Sequence, residues 1–389
     1  MLGHLKNSST TLEDFRMRYV EYGNTGKKVS TVGFGGMRFD LTKSNEENAE
    51  LIKYASSKGI NYFDTAPGYC EDKSEDIFGL ALQDMPNDFY ISTKGMPTKF
   101  DTAEKAMDAV KRSLERLKVD KIDFYHIWCL RKMEHYDLAM KKGGQYEGLL
   151  RLKEEGLIDN IVCSSHQPGH EISQILSDGK VDGVLLGMNI LNFPYRQKGV
   201  EAAAKYGYGV AAMNPLSGGM IPQYENEFEY LKQDGLSATE SALSFLLGNS
   251  FVDVTLVGFT SKEHIDIACK LADEAKAVDL SDLQRIEKKN GENMNAVCTG
   301  CGYCWDCPVN IPVPAYMQFY NEKQMFNKPD DDMIKNIKGN REWGVLAARK
   351  ADSEACIACE KCEEACTQHL PIISRLKETS HWENQIDEV

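Results

Sequence analysis

The chain has 389 residues, with 45 Lys and Arg against 59 Asp and Glu and a net charge of −14. This surplus of acidic residues repels a phosphate backbone, and no basic run reverses it locally, so we expect no nucleic-acid partner. No segment reaches the roughly 18 consecutive apolar residues of a membrane span, and the N-terminal residues lack the apolar core of a signal peptide. We therefore expect a cytoplasmic protein without a membrane partner, built from one large and one smaller domain.

The first element predicted in chain order is a hairpin that turns at "GNTGKK", residues 23–28. After it, apolar strand-like segments alternate with amphipathic helices, which is the pattern of a parallel α/β fold. Eight such strands predict a closed (β/α)8 TIM barrel whose floor the hairpin covers. An open doubly wound sheet is the alternative, but the G-x-G-x-x-G fingerprint expected after its first strand is absent. The strands are expected at 30–36, 60–65, 89–94, 122–128, 159–164, 181–189, 208–214 and 252–258, and the helices include 102–117, 144–155 and 261–276.

The twelve cysteines are distributed unevenly, because eight of them fall between Cys298 and Cys366. This asymmetry predicts a barrel domain at 1–294 and a second domain at 295–389. A reducing cytosol keeps clustered thiols free, so the clusters indicate metal or cofactor ligands rather than disulfides. The other four are interpreted as packing residues: Cys70, Cys129, Cys163 and Cys269.

The clustered cysteines form two runs whose spacing resembles that of bacterial ferredoxins. The second run is C-x2-C-x2-C-x3-C, with Thr367 in place of the usual proline, and the first run is one residue shorter in its last interval. By this resemblance the domain holds two [4Fe–4S] clusters, and each run contributes three ligands to one cluster and its fourth cysteine to the other. One cluster would take Cys298, Cys301, Cys304 and Cys366, and the other Cys307, Cys356, Cys359 and Cys362.

Zinc is the alternative for these cysteines, because C-x2-C pairs also build tetrahedral zinc sites. Zinc sites usually pair two such knuckles across a loop, whereas each run here contains three overlapping ones. Between the runs, residues 313–326 and 330–351 have apolar positions at helical spacing, which favours a mainly α ferredoxin-like domain.

Four motifs of the barrel region resemble the aldo-keto reductases in content and order. They are "GINYFDTAPGY" with "SEDIFG" at 59–79, "ISTKG" at 91–95, "AMNPLSGG" at 212–219 and "VGFTSKEH" at 257–264. Together with the cysteine runs they resemble a bacterial subgroup of that family with a C-terminal ferredoxin-type domain. The resemblance implies an oxidoreductase of anaerobic type.

The same resemblance implies catalytic roles at the carboxyl ends of the barrel strands. Tyr69 would protonate a carbonyl oxygen as hydride reaches the carbon, Lys94 would lower the pKa of that phenol, and Asp64 would hold the lysine. The histidine of the family's fourth strand is replaced by Trp128. His126 lies two residues earlier on the same side of the strand, roughly 6–7 Å deeper. Either it substitutes for the missing histidine or it is a hydrogen-bonded core residue.

The nicotinamide pocket that the resemblance implies is incomplete. Ser165 stands where the family has asparagine, Leu185 where it has glutamine, and the arginine that binds the 2′-phosphate of NADP is missing. These losses weigh against NAD(P), and against NADP especially. The residues expected to contact a cofactor are Gly36, Met37, Ser164, His166, Asn189, Gly258, Thr260, Ser261 and Lys262, the last three at a helix N-terminus suited to an anion.

The sequence therefore predicts an iron–sulfur oxidoreductase that reduces a carbonyl or related double bond of a small molecule. A ferredoxin or a flavoprotein would be its electron donor. Clusters pass single electrons and nicotinamide passes hydride, so joining the two requires a flavin, a radical-tolerant substrate or a purely structural cluster. Two alternatives remain: a cluster-driven reductase that does not use nicotinamide, and an electron-transfer subunit with a non-catalytic barrel.

Overall fold

The fold was examined in a computed structural model that describes residues 16–233, 235–290, 297–298, 300–342, 346 and 351–385. The predicted domain boundary between residues 294 and 295 lies outside these residues, as does part of the helix predicted at 330–351.

Eight parallel strands close into a barrel, as the sequence predicts. Each strand pairs with the next one along the chain, and the last pairs with the first through Thr255 and Val32, which completes the circle. Closure buries the inner faces of the strands and brings all their carboxyl ends to one rim. The barrel strands are β3 (Val32–Gly35), β4 (Tyr62–Asp64), β5 (Tyr90–Gly95), β6 (Ile122–Leu130), β7 (Ile158–Ser165), β8 (Gly183–Gly187), β9 (Gly209–Met213) and β10 (Val254–Val257).

Helices connect the strands, and several begin at side chains that cap them. Ser44 and Glu47 form a reciprocal capping box at the first helix, which satisfies backbone N–H groups that have no partner within the helix. No helix among the described residues is long and apolar enough to span a bilayer. The helices of this region are α1 (Asn45–Ser57), α2 (Ser74–Ala81), α3 (Ala103–Leu117), α4 (Met133–Met140), α5 (Gln145–Glu154), α6 (Gly169–Ser177), α7 (Phe193–Tyr206), α8 (Met220–Gln223), α9 (Ala238–Leu247), α10 (Lys262–Glu274) and α11 (Leu280–Asn290).

The predicted hairpin is present and closes the amino-terminal end of the barrel. Strands β1 (Tyr19–Glu21) and β2 (Lys28–Ser30) pair antiparallel. The ring of Tyr22, which follows β1, packs edge-on against Phe124 with ring centroids 4.8 Å apart. A Cβ on Gly209 would lie 2.2 Å from the Tyr22 ring, so only glycine at the start of β9 leaves room for this ring at the end of the barrel.

The C-terminal region is mainly helical, as expected, and has its own apolar core. Its helices are α12 (Val313–Phe326), α13 (Asp330–Glu342), α14 (Lys361–Ala365) and α15 (Ile372–Glu383). Trp382 is fully buried at its centre and stacks on Tyr320 with ring centroids 5.7 Å apart.

This region packs directly against the barrel rim where the strands end. Tyr224, in the segment after β9, donates a hydrogen bond to Glu322 at 3.0 Å, and its ring lies 6.1 Å from that of Phe326. On the other side, Arg131 donates to the carbonyl of Ala365 at 3.0 Å. The helical region therefore covers the face of the barrel on which active sites of this fold lie.

Candidate active site and thiol sites

A buried ion pair stands at the carboxyl ends of β4 and β5. The ammonium of Lys94 donates to Asp64 at 2.5 Å and to the carbonyl of Thr65 at 2.8 Å. Ser92 donates to the other carboxylate oxygen of Asp64 at 2.7 Å. Both charged side chains are almost completely shielded from solvent, so removing either one would leave its partner buried without a counter-charge.

His126 lies below this pair, as the two-residue offset along β6 predicts. It is fully buried, and its Nε2 is 2.8 Å from Ser92 Oγ and 3.9 Å from Asp64. Burial and the nearby charge of Lys94 lower the pKa of His126 well below its usual range, so the imidazole is neutral. Since it reaches Asp64 only through Ser92, the interpretation of a hydrogen-bonded core histidine fits the structure.

Tyr69 lies in the loop after β4, and the backbone of this loop is unusual. The next three residues, Cys70, Glu71 and Asp72, all have positive φ angles, which L-residues seldom adopt in succession. Asp72 accepts a hydrogen bond from the backbone N–H of Gly68 at 2.8 Å. Its carboxylate also forms an ion pair with Arg116 at 2.8 Å. These contacts hold the loop and thereby the position of the phenol.

The protonation of Tyr69 differs from the sequence-based expectation. Burial, with a further contribution from Asp64, raises its pKa well above the usual range, and the charge of Arg38 opposes this only in part. The Lys94 ammonium lies 5.5 Å from the centre of the ring and is bound to other groups. The net change in the phenol pKa is therefore opposite to the lowering expected from Lys94, and Tyr69 remains a neutral O–H donor.

Trp128 occupies the position at which the resemblance implies a histidine. β6 has an irregular register between Ile127 and Leu130, and Cys129 there has a positive φ of 61°. The indole packs edge-on against Tyr69 with ring centroids 5.5 Å apart. The indole of Trp128 therefore packs against one side of the Tyr69 phenol ring.

A cavity of about 760 Å³ opens at this rim, within the range of roughly 300–1,000 Å³ that is typical of ligand sites. We call it the active-site cavity. Asp64 and Tyr69 border it, whereas Lys94, His126 and Trp128 do not. Of the residues predicted to contact a cofactor, those that line it are Gly36, Met37, His166, Gly258 and Thr260.

The remaining predicted cofactor residues do not line the cavity. Asn189 is fully buried and accepts hydrogen bonds from the backbone N–H groups of Leu191 and Asn192, so it shapes the turn after β8. The hydroxyl of Ser164 is buried and has no hydrogen-bond partner among the described residues. Ser261 caps α10 by accepting from the N–H of His264.

At the predicted anion-binding segment, Arg38 lines the cavity together with Gly258 and Thr260, whereas Lys262 does not. The ammonium of Lys262 lies 4.8 Å from the ring centre of Tyr54 and does not line the cavity. At the start of α9, the carboxylate of Glu225 accepts hydrogen bonds from the backbone of Thr239 at 3.3 Å and from its hydroxyl at 2.5 Å. The carboxylate of Glu225 thus occupies the N-terminus of α9, which borders the cavity. A phosphate would otherwise be favoured at this position.

Four cysteines of the C-terminal region, which we call the inner thiol site, line one cavity in the structure. Two backbone N–H groups approach the sulfurs, from Gly300 to Cys298 and from Leu370 to Cys366, each at 3.4 Å. The members of the inner thiol site are Cys298, Cys301, Cys304 and Cys366.

The other four cysteines, which we call the outer thiol site, line a separate cavity together with Pro308 and Ile373. Among the described residues, no three His, Cys, Asp or Glu side chains lie close enough together to hold a single metal ion. The members of the outer thiol site are Cys307, Cys356, Cys359 and Cys362.

The inner thiol site meets the active-site cavity at its cysteine loop. Gly300, Cys301 and Tyr303 line the active-site cavity together with Tyr69. The ring of Tyr303 meets that of His166 edge-on with centroids 5.2 Å apart. The C-terminal region therefore forms part of the wall around the barrel's reactive end.

Comparison with known proteins agrees with this architecture. The model of the aldo/keto reductase family matches residues 31–290, which is more than half of the chain. The chain belongs to the aldo/keto reductase family. Its C-terminal region matches the 4Fe-4S dicluster domain over residues 297–370, so this reductase is an oxidoreductase with an iron–sulfur domain, and zinc is not supported.

The individual relatives of this reductase resemble its barrel. L-galactose dehydrogenase of Arabidopsis thaliana is 29% identical over 308 residues, which cover 68% of this chain and 92% of that protein. An aldo-keto reductase of Bacillus halodurans in its holo form has a TM-score of 0.59 and 23% identity, covering 70% of this chain and 96% of that one. One from Klebsiella pneumoniae in complex with NADPH has a TM-score of 0.57 and 16% identity, covering 70% and 95%.

Sequence reasoning missed several residues that the reductase places at the cavity. Cys301 was predicted as a ligand, but not as part of the cavity wall, and Tyr303 was not predicted at all. The position of Tyr303 between Cys301 and Cys304 was the available signal. Spacing alone does not show that this loop faces the barrel. Other lining residues that were not predicted are Asn214, Ser237, Thr239 and Glu240.

Proposed function

We propose that this reductase reduces a carbonyl or related double bond of a small molecule bound in the active-site cavity, with electrons from a donor protein. The observation that supports this most directly is that Cys301 borders the same cavity as Tyr69 and Asp64. An electron that reaches the inner thiol site is therefore already at the wall of the cavity.

We further propose that the two thiol sites hold two [4Fe–4S] clusters. Each site presents four cysteine sulfurs around one cavity, which is the ligand set of such a cluster. At the inner site, the N–H groups of Gly300 and Leu370 point at sulfur, as donors that stabilise anionic cluster sulfur do. A bound cluster supplies single electrons.

In this proposal Tyr69 is the acid. Reduction of a carbonyl to an alcohol consumes two electrons and two protons. Both electrons come from the reduced donor protein, one proton comes from the Tyr69 hydroxyl to the substrate oxygen, and water supplies the other proton and reprotonates the phenol. The raised pKa keeps the Tyr69 hydroxyl protonated before the reaction. Lys94 and Asp64 are positioning residues beneath it.

A second candidate is hydride transfer from NAD(P), as the bound NADPH of the Klebsiella pneumoniae protein suggests. Gly36, Gly258 and Thr260 do line the cavity. Against this candidate, apolar Leu185 borders the cavity where the family has glutamine, and Lys262 lies against Tyr54. We therefore favour electrons from the inner thiol site.

The test is substrate reduction by protein prepared without oxygen and reduced with dithionite. A panel of carbonyl compounds and unsaturated acids is added with and without NADPH. Reoxidation of the iron–sulfur centres is followed by the change in their absorbance. We expect Tyr69→Phe to abolish turnover, because it removes the proton donor and leaves the ring. Tyr208→Phe is the matched control, since Tyr208 lies at the opposite, amino-terminal end of the barrel before β9.

Two outcomes would contradict the proposal. If the Tyr69→Phe variant turned over substrate at the rate of the unmodified protein, Tyr69 would not be the proton donor. Turnover that requires NADPH and continues without iron would make nicotinamide the source of electrons and support the second candidate.

A further inference from the structure

The outer thiol site lies at the molecular surface, beside two unusually exposed apolar side chains. Trp305 is 73% exposed and Ile357 is 61% exposed, which makes them the most exposed large hydrophobic residues among those described. Ile357 lines the cavity of the outer thiol site, and Trp305 precedes Cys307 by two residues. Cys359 itself is exposed. Exposed aromatic and aliphatic side chains of this kind mark contact surfaces.

Exposed acidic side chains lie close to these two residues along the chain. Among the described residues of this loop region, exposed carboxylates outnumber exposed basic groups, of which Lys361 is one. We call this surface the outer face and define it by Trp305, Asp306, Glu354, Ile357, Glu360 and Glu364.

We propose that the outer face docks a redox protein whose own contact surface is positively charged around an apolar patch. This rests on the proposed function, which requires an external electron donor. The apolar centre matches the buried core of transient interfaces, and the acidic rim would attract a basic partner and align it over Cys359. A ferredoxin with an acidic surface would be repelled.

A second copy of this chain does not fit the outer face as well. Two copies meeting through this surface would bring two acidic rims together, and each chain carries a net charge of −14. Like charges in opposition cost binding energy.

The experiment uses the cluster-loaded protein, reduced and free of excess dithionite, and stopped-flow electron transfer to two probes. Cytochrome c is the basic probe and a plant-type ferredoxin is the acidic one. We expect faster transfer to cytochrome c, falling roughly tenfold between about 20 and 300 mM salt, as electrostatic steering does. Asp306→Lys with Glu364→Lys should slow this transfer by a similar factor.

The matched control is Asp108→Lys with Glu115→Lys, which makes the same change in net charge. Both residues are exposed on α3 of the barrel, so a general effect of net charge would appear equally in the two variants. A third variant, Trp305→Ala with Ile357→Ser, should slow transfer at high salt as well, because it removes apolar contact. Iron content and reduction by dithionite are measured for every variant.

Salt-independent transfer by the unmodified protein, or equal slowing by both charge-reversal pairs, would overturn the proposal. Self-association at micromolar concentration that Trp305→Ala abolishes would identify a second copy as the occupant and would also overturn it. Loss of iron from a variant does not obscure the result, since the salt dependence of the unmodified protein decides the same question. Failure here leaves substrate reduction by dithionite intact, whereas failure of the proposed function would remove that reduction.

Discussion

The inner and outer thiol sites are built from equivalent runs of cysteines, yet the charges around them differ. Around the inner site, Arg131 reaches the carbonyl next to Cys366, and Arg375 interacts electrostatically with Cys298 and Cys366. Arg38 approaches Gly300 at 3.5 Å. The inner site is therefore enclosed by guanidinium groups, of which Arg38 and Arg131 come from the barrel.

The outer site has neighbours of both charges: Lys361 lines its cavity, and Glu363 follows Cys362 in the chain. A positive environment stabilises an added electron and a negative one opposes it. From the guanidinium groups around the inner site we propose that electrons move from the outer site to the inner site. In this proposal the position of a cysteine run relative to the barrel, and not its spacing, decides its role.

The largest effect should come from removing one ligand from each site. Cys301→Ala and Cys359→Ala should each lower the iron content from about eight to about four atoms per chain. Only Cys301→Ala should abolish substrate reduction with dithionite, because only the inner site borders the cavity. Iron and sulfide analysis with turnover checks this, and full activity of Cys301→Ala would break the comparison.

Measuring nicotinamide binding tests whether NADPH or NADH, and not the inner thiol site, could supply the electrons. We expect weak binding of NADPH, with little preference over NADH. Leu185→Gln should tighten it roughly two- to tenfold, the value of one neutral hydrogen bond of about 0.5–1.5 kcal/mol. Calorimetry measures this, with Leu256→Gln on another strand as the control. Submicromolar NADPH binding by the unmodified protein would show that the incomplete pocket was misinterpreted.

A smaller shift is expected in the reduction potentials. Arg131→Gln should lower the potential of the inner site by on the order of 50 mV, since one charge nearby is worth about 1–2 kcal/mol at an effective dielectric constant of about 20. Lys361→Gln should act on the outer site instead. Redox titration followed by electron paramagnetic resonance separates the two, and an inner site of lower potential than the outer one would reverse the proposed direction.

The smallest effect concerns pH. The pKa of Tyr69 is raised and that of His126 is lowered well below its usual range, so neither changes charge near neutrality. Turnover driven by dithionite should therefore vary less than about twofold between about pH 6 and 9. A titration with a midpoint near 6.5 would show that a histidine, and not the phenol beside the inner site, supplies the proton.

Local patterns in the sequence were sufficient for most of the fold. The eight strands, the hairpin and the helix Val313–Phe326 were predicted close to their observed bounds, because apolar spacing records which face of a segment is buried. The burial of His126 below Asp64 also followed from the two-residue period of a strand.

Features that depend on contacts between distant segments of the chain could be read only from the tertiary structure. The sequence identifies Tyr69 and Lys94, but the direction of the phenol pKa depends on burial beneath a cover that another domain completes. Lys262 has the charge and the position for an anion site, yet it lies against Tyr54 of α1.

The sequence by itself determined the barrel, the helical tail and the eight clustered cysteines, because each is written in a short-range pattern of apolar residues or of cysteine spacing. Only the tertiary structure placed Cys301 and Tyr303 in the wall of the cavity that holds Tyr69. More than 230 residues separate the two loops along the chain. Their contact depends on how two separate apolar cores pack against each other, and no local pattern records that packing.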